Sequence, residues 1–208
     1  MNLFINNLFR DPQFFFTWLV FIVFSICCHE FMHAYVALKQ GDSTAADMGH
    51  LTLNPLKQMG LFSLIMLAVA GIAWGAVPVR PYLMRHRHSD ALVAFAGPAT
   101  NLGLFLVFGV LCFGAEKFTN NEFAIDMLWL GSLLNIVLFL LNLLPIPGLD
   151  GWTILRSFVP RIGDLSSEWM KGIFFILFFL VFFAFGILWK IGAVMTAYLM
   201  AGLSLVFG

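Results

Sequence analysis

The sequence predicts an all-α polytopic membrane protein with five to six transmembrane helices and a re-entrant or short β element after the first core helix. Of the 208 residues, 61% are hydrophobic and 11% are charged, whereas a soluble domain carries about 25% charged residues. The formal net charge is zero, which gives no electrostatic basis for nucleic-acid binding. We expect a single membrane-embedded domain over 1–208, with a core at about 12–160 and C-terminal helices at about 172–208.

The first predicted span runs from about Asp11-Pro12 to Gln40-Gly41. Proline suits the first turn of a helix, and glycine suits the C-terminal cap. At ~1.5 Å per residue this helix is longer than the ~30 Å hydrocarbon core, so its far end emerges into water. The run does not resemble a cleaved signal peptide, since it is longer than the usual apolar region and lacks an A-x-A-type site.

This span contains the stretch His29-Glu30-Phe31-Met32-His33. Ionisable groups at membrane depth cost roughly 2.5–3.5 kcal/mol each, so their presence indicates function. Histidines four residues apart lie on one helix face, where both imidazoles reach one metal. Glu30 is turned about 100° from His29, which places it better for a metal-bound water than for the metal. The spacing predicts one zinc ion with a general base. The three cysteines form no C-x-x-C pair and predict no thiolate zinc site.

Two unusual segments follow the first span. Leu51–Asn54 alternates between apolar and polar residues and is closed by Pro55, which predicts a short β element. The apolar stretch Leu61–Val79 is interrupted by Gly71 and Gly75. The stretch is long enough to span the membrane, but non-helical backbone is tolerated in a bilayer where it faces protein or water, so a re-entrant path is open to it as well. We favour the re-entrant path, in which the stretch dips in and returns.

The rest of the chain carries the remaining spans. Two are predicted at Ala91–Ala115 and Phe123–Leu144. The apolar tract Ile173–Phe207 is long enough for two more, with a turn near Lys190–Gly192. The basic loop Arg80–Arg87 is expected in the cytoplasm by the positive-inside rule. This topology places the metal inside the membrane, nearer its cytoplasmic surface.

A catalytic zinc held by two histidines needs a third protein ligand. The candidate carboxylates are those of Asp42, Asp47, Asp126 and Asp150. We favour Asp150, because it follows a helix end broken by prolines and glycines, where a side chain turns inward at membrane depth. Ligands on two spans share one depth only if those spans run parallel, and the crossing at Ala91–Ala115 allows this.

Three stretches together resemble the site-2 protease family of intramembrane zinc metalloproteases. They are His29-Glu30-x-x-His33, Ala96-Gly97-Pro98-Ala99-Thr100-Asn101, and Asn142-x-x-Pro145-x-Pro147-x-Leu149-Asp150-Gly151. Gly41-Asp42 and Leu51-Thr52-Leu53-Asn54-Pro55 are similar to the small prokaryotic branch of that family, which lacks a PDZ domain. The resemblance covers about residues 12–160.

The resemblance implies a site and a substrate class. His29, His33 and Asp150 would bind one zinc ion, Glu30 would activate the water, and Asn142 would help to position or stabilise the substrate carbonyl. The substrates would be membrane-anchored proteins or leftover signal peptides, cleaved within or near their transmembrane segments. The chain would act in the lipid bilayer of a prokaryotic plasma membrane.

Two further residues and two rival functions complete the predictions. Asn54 and Asn101 are candidate substrate-binding residues: Asn54 ends a piece that would pair with an extended substrate, and helix packing is the competing role for Asn101. One rival is a transporter of zinc or another divalent cation, but the sequence shows one broken helix end and no repeat of HExxH. The other is a non-catalytic membrane scaffold, against which the intact HExxH argues.

Overall fold

The computed structural model describes residues 3–159 and 167–207, with the backbone alone for 167–171 and 173–184. Within those ranges the chain is helical and no strand is formed. The longer helices are α1 (Pro12–Gln40), α2 (Gly60–Ala70), α3 (Ser89–Phe118), α4 (Glu122–Asn142), α5 (Asp150–Phe158) and α6 (Ser167–Phe207). Short helical turns occur at Phe4–Asn6, Asn7–Arg10, Thr44–Asp47, Pro55–Gln58 and Pro81–Leu83.

Helix α1 begins and ends where its capping residues predict. The Asp11 carboxylate accepts a hydrogen bond from the Phe14 backbone N–H at 3.0 Å, and Pro12 occupies the first turn. Gly41 ends the helix with φ +110°, a left-handed conformation that favours glycine. The predicted boundaries of the first span are therefore confirmed.

Among the described residues, four helices are long and apolar enough to cross a membrane: α1, α3, α4 and the Phe185–Phe207 part of α6. The all-helical polytopic architecture is thus confirmed. Helix α2 has 11 residues, about 16 Å at the usual rise, which is near half of the hydrocarbon thickness. The count of five to six spans and the re-entrant path stay predictions. Residues 51–54 form bends and open chain, so the β element is not confirmed.

The predicted turn near Lys190–Gly192 is wrong, because α6 continues through it without a break. Gly192 serves close packing: a Cβ there would lie 2.7 Å from Cγ2 of Val137 on α4. The Thr196 hydroxyl donates to the Gly192 carbonyl oxygen at 2.9 Å. A glycine that lets two helices approach looks, in sequence alone, like a glycine that ends one of them.

The structure forms two compact units, Met1–His86 and Arg87–Gly208, and the single domain over 1–208 stays a prediction. In the first unit, the side chain of Phe4 packs against three aromatic rings near the start of α1. These rings belong to Phe14, Phe15 and Trp18. One side of α1 is buried farther along, where Ala34 and Ala37 have no exposed surface. The same helix also exposes large apolar side chains, among them Phe16, Val20 and Phe24, as expected of a helix in contact with lipid.

The second unit has a core formed by α3, α4 and α6. Its buried centre consists of Phe105, Leu133, Ile136 and Val137. The side chains packed around that centre include Leu102, Trp129, Phe139, Leu140, Trp189, Ala193, Met195 and Leu199. This packing fixes the end of α4, from which the proline-broken segment and α5 continue.

Candidate metal centre and active site

Helix α1 brings the two histidines of the HExxH motif into direct apposition. The Nε2 atoms of His29 and His33 lie 2.8 Å apart, and their rings meet edge to face at 78°. Both side chains are buried, with 6% and 7% of their surface exposed. Two nitrogens bound to one tetrahedral zinc at ~2.0–2.1 Å would be about 3.3 Å apart. If the two Nε2 atoms moved apart by roughly half an ångström, both could bind one ion. Two imidazole nitrogens are donors that suit zinc.

Glu30 is buried beside His29, and its carboxylate faces a non-helical segment of the same unit. The side chain is 8% exposed. The segment consists of residues 71–80, which link the end of α2 to the turn at Pro81–Leu83, and we call it the strap. A Cβ atom added to Gly75 would overlap Cγ, Cδ and Oε1 of Glu30. The strap therefore passes directly against the carboxylate that the sequence assigns as the general base.

Hydrogen bonds hold the strap on either side of Gly75. The Ser63 hydroxyl donates to the Trp74 carbonyl oxygen at 2.7 Å and accepts from the Trp74 N–H at 2.9 Å. The Ala76 N–H donates to the Gln58 carbonyl oxygen at 3.0 Å. Ser63 and Gln58 are each 1% exposed, so these anchors are shielded from competing water. The strap is thus fixed at the point where it meets Glu30.

Asp42 fastens the far end of the strap to the residues that follow α1. Its buried carboxylate accepts from the Arg80 N–H at 2.5 Å and from the Thr44 N–H at 2.9 Å. Burial by itself would raise the pKa of Asp42, but the Arg80 and Thr44 hydrogen bonds and the nearby Arg80 charge lower it below the ordinary value. A second bond, from the Arg85 N–H to the Gln40 carbonyl oxygen at 2.9 Å, supports the same junction.

Two of the four candidate third ligands therefore have local roles. Asp42 is a latch for the strap, and Asp47 accepts from the Ser43 hydroxyl at 2.8 Å on an exposed turn. Asn54, predicted to bind substrate, caps the turn Pro55–Gln58 by accepting from the Leu56 N–H at 3.0 Å. Its substrate contact stays a prediction.

In the second unit, the segment between α4 and α5 carries the favoured ligand. Asp150 is the first residue of α5 and is half-buried. Gly148 has φ +96°, which makes the sharp return of the chain possible without strain. A Cβ atom on Gly151 would overlap the carbonyl oxygens of Leu143 and Leu144. The bare glycine therefore lets the start of α5 lie against the turn that follows α4, which determines the position of Asp150.

Asn142 is the last residue of α4, as the motif predicts. Its Nδ2 donates to the Leu138 carbonyl oxygen at 3.0 Å, one turn back in the helix. A primary amide carries two N–H groups, so one remains for a further bond. The predicted contact with a substrate carbonyl stays a prediction.

A buried asparagine pair joins α3 to α4. Nδ2 of Asn101 donates to Oδ1 of Asn135 at 3.0 Å, and Nδ2 of Asn135 donates to the Gly131 carbonyl oxygen at 2.9 Å. Neither asparagine has exposed surface. The hydrogen bond between Asn101 and Asn135 gives Asn101 a role in packing α3 against α4. The substrate-binding role of Asn101 stays a prediction. Asn135 was not predicted, although a lone amide within an apolar span is a sequence signal for a contact between helices.

Known proteins similar to this chain identify the family. The model described as Peptidase family M50 matches residues 109–185. YwhC of Bacillus subtilis (strain 168), a candidate zinc metalloprotease by name, is 38% identical over 171 residues, covering 77% of this chain and 77% of YwhC. The chain belongs to peptidase family M50. The resemblance to site-2 proteases, drawn from its motifs, is confirmed.

Two other relatives are longer than this chain. Rip2 of Mycolicibacterium smegmatis, also a candidate zinc metalloprotease by name, is 39% identical over 145 residues, covering 64% of this chain and 53% of Rip2. Rip2 of Mycobacterium tuberculosis (strain H37Rv) is 37% identical over 150 residues, covering 67% of this chain and 54% of its own length. The chain thus spans about half of these two relatives. No solved structure matches it.

Proposed function

We propose that this M50 peptidase is an intramembrane zinc metalloprotease whose single zinc is held by His29, His33 and Asp150, with Glu30 as general base. The observation that carries the proposal is the 2.8 Å approach of the two histidine Nε2 atoms, buried on a membrane-length helix with Glu30 beside them. Two imidazoles and a carboxylate form a ligand set that leaves one zinc position for water. Asp150 supplies the carboxylate from the broken helix end.

The chemistry assigned to these residues is hydrolysis of a peptide bond. When bound, zinc supplies Lewis acidity and a water of lowered pKa. Glu30 would remove a proton from the water that attacks the peptide carbon, and would deliver that proton to the amine nitrogen as the C–N bond breaks. The second N–H of Asn142 donates to the carbonyl oxygen as negative charge develops there.

The substrate is a membrane-anchored protein or peptide cleaved within or near its transmembrane segment. HExxH occupies positions 29 to 33 of a helix that ends at residue 40, so the site lies toward one end of α1. A substrate helix must unwind before hydrolysis, because its carbonyl groups are bonded within the helix. Asn54 and Asn101 stay the proposed substrate-binding residues. The bilayer is a prokaryotic plasma membrane, with the site nearer its cytoplasmic side.

Conversion of Glu30 to glutamine tests this function against both rivals. In lipid vesicles that hold an anchored reporter peptide, Glu30→Gln should lower cleavage at least about 100-fold, the scale of a lost general base, while zinc content is unchanged. Glu116→Gln is the matched control, because Glu116 is an exposed carboxylate at the end of α3. Zinc flux across the vesicles with no cleavage by any variant would favour the transporter. Cleavage that persists after removal of zinc by a chelator would end the proposal.

A further inference from the structure

Gly75 stands where the strap touches the Glu30 carboxylate, and the reason for a glycine there is space. Among the glycines that the structure describes, those with positive φ are Gly41, Gly49, Gly60, Gly71 and Gly148, and Gly75 does not belong to this group. Any residue can therefore adopt the backbone conformation of Gly75. What a larger residue cannot do is fit, since its Cβ would overlap the carboxyl end of Glu30.

The strap is poorly able to yield to such a Cβ. The N–H and the carbonyl oxygen of Trp74 are both hydrogen-bonded to the Ser63 hydroxyl, and the Ala76 N–H is hydrogen-bonded to the Gln58 carbonyl oxygen. Gln58 is held in turn, because its Nε2 donates to the carbonyl oxygens of His50 at 2.8 Å and Thr52 at 2.6 Å. Movement of the strap by the required distance would break these bonds between buried groups, whereas the colliding atoms of Glu30 belong to the outer part of a flexible side chain.

Glu30 is therefore the group that would move. Three atoms of its side chain, including one carboxylate oxygen, occupy the volume of the missing Cβ. The histidines lie elsewhere around the helix: the group that a Cβ on Gly75 would meet is Glu30, with neither imidazole among its nearest contacts. A substitution at this position thus acts on the base and spares the two nitrogen ligands.

We propose that Gly75 is a positioning residue for Glu30: the strap presents a bare Cα to the carboxylate and so fixes the place from which Glu30 reaches the attacking water. The catalytic consequence rests on the proposed function, whereas the contact itself does not. A methyl group at position 75 should turn the carboxylate away from its working position. Metal binding by His29 and His33 should survive.

A thermal double-mutant cycle tests the contact without any assay of activity. Full-length protein, reconstituted with one equivalent of zinc, is melted as wild type, Gly75→Ala, Glu30→Ala and the double variant. Gly75→Ala should lower the Tm by about 3–8 °C, the usual scale of overpacking in a chain of this size. In the Glu30→Ala background the colliding atoms are gone. There Gly75→Ala should lower the Tm by no more than about 2 °C, which is near the error of such cycles. Gly103→Ala is the control, since its Cβ would meet nothing within 4 Å.

Equal losses of Tm in the two backgrounds would overturn the proposal. If Gly75→Ala alone does not fold, the double variant should fold, and its failure to do so would also overturn it. Zinc content is measured in every variant, and Gly75→Ala should retain one zinc per chain.

Kinetics on the anchored reporter separate positioning from general damage. Gly75→Ala should lower kcat at least about tenfold and leave KM within about twofold, because a displaced base weakens the transition state more than substrate binding. A rise in KM with unchanged kcat would refute the positioning role. The proposed function would be refuted by a different result, namely a Glu30→Gln protein that cleaves the reporter as fast as the wild type. In that case the thermal cycle would still test the contact between Gly75 and Glu30.

Discussion

Substitution of Asp42 by asparagine should loosen the strap that lies against Glu30. Asp42 has no exposed surface, and its two carboxylate oxygens accept from the backbone N–H groups of Thr44 and Arg80. An asparagine keeps one oxygen acceptor but places an NH₂ group where the other oxygen stood. If it keeps the bond to Thr44, the amide nitrogen faces the Arg80 N–H, and two donors meet in a buried place.

The expected cost follows from these two bonds. A hydrogen bond to a charged group contributes roughly 1.5–3 kcal/mol, and a buried donor left unsatisfied costs about 1–3 kcal/mol. These figures overlap because they describe the same Arg80 N–H, so we expect about 2–4 kcal/mol in total. For a chain of 150–250 residues this corresponds to a fall in Tm of roughly 4–16 °C.

The assay is thermal unfolding of reconstituted protein, followed from pH 3 to 8. Because the folded-state pKa of Asp42 is lowered, its ionised form stabilises the fold fully above the unfolded value near 3.9. That contribution is lost as pH falls through the folded pKa. The difference in Tm between wild type and Asp42→Asn should therefore be constant from pH 5 to 8 and shrink below about pH 4.

The matched control is Asp47→Asn, an exposed carboxylate on the following turn, which should change stability by no more than about 0.5 kcal/mol. If the Tm of Asp42→Asn equals that of the control, the proposed role of Asp42 in holding the strap is refuted. A difference in Tm that grows as the pH falls below 4 would also refute it, because that sign requires a raised pKa.

Two further predictions concern the second unit. Asn101→Ala should lower the free energy of unfolding by roughly 1–2 kcal/mol, because it removes the donor to the buried amide oxygen of Asn135. In an Asn135→Ala background the loss measured by thermal unfolding should fall by half or more. Equal losses in the two backgrounds would contradict the pairing. Gly151→Ala should weaken zinc affinity at least about tenfold, since its Cβ would overlap the carbonyl oxygens of Leu143 and Leu144 and shift the start of α5. Competition with a fluorescent chelator measures the affinity. An unchanged affinity would contradict the role of the segment between α4 and α5 in placing Asp150.

Features encoded within a few residues could be predicted from the sequence. The bounds of α1 follow from Asp11, Pro12 and Gly41, each of which acts on its immediate neighbours. The apposition of His29 and His33 follows from the helical period alone. Each of these features needs no knowledge of the rest of the fold.

Features that depend on distant parts of the chain could not be predicted. Gly192 resembles a turn residue in the sequence, because its partner Val137 on α4 is far away along the chain. Gly75 resembles only a break in an apolar stretch, since nothing local shows that Glu30 lies against it. Asp42 resembles a metal ligand in the sequence, because its hydrogen-bond partner Arg80 lies 38 residues away.

Zinc K-edge X-ray absorption of the reconstituted full chain tests the metal site most directly. We expect a shell of nitrogen and oxygen donors at about 2.0–2.1 Å that includes two imidazoles, and Asp150→Ala should lower both the number of donors and the zinc retained. A sulfur shell near 2.3 Å, or an Asp150→Ala protein with the same shell and the same zinc content as wild type, would contradict this expectation.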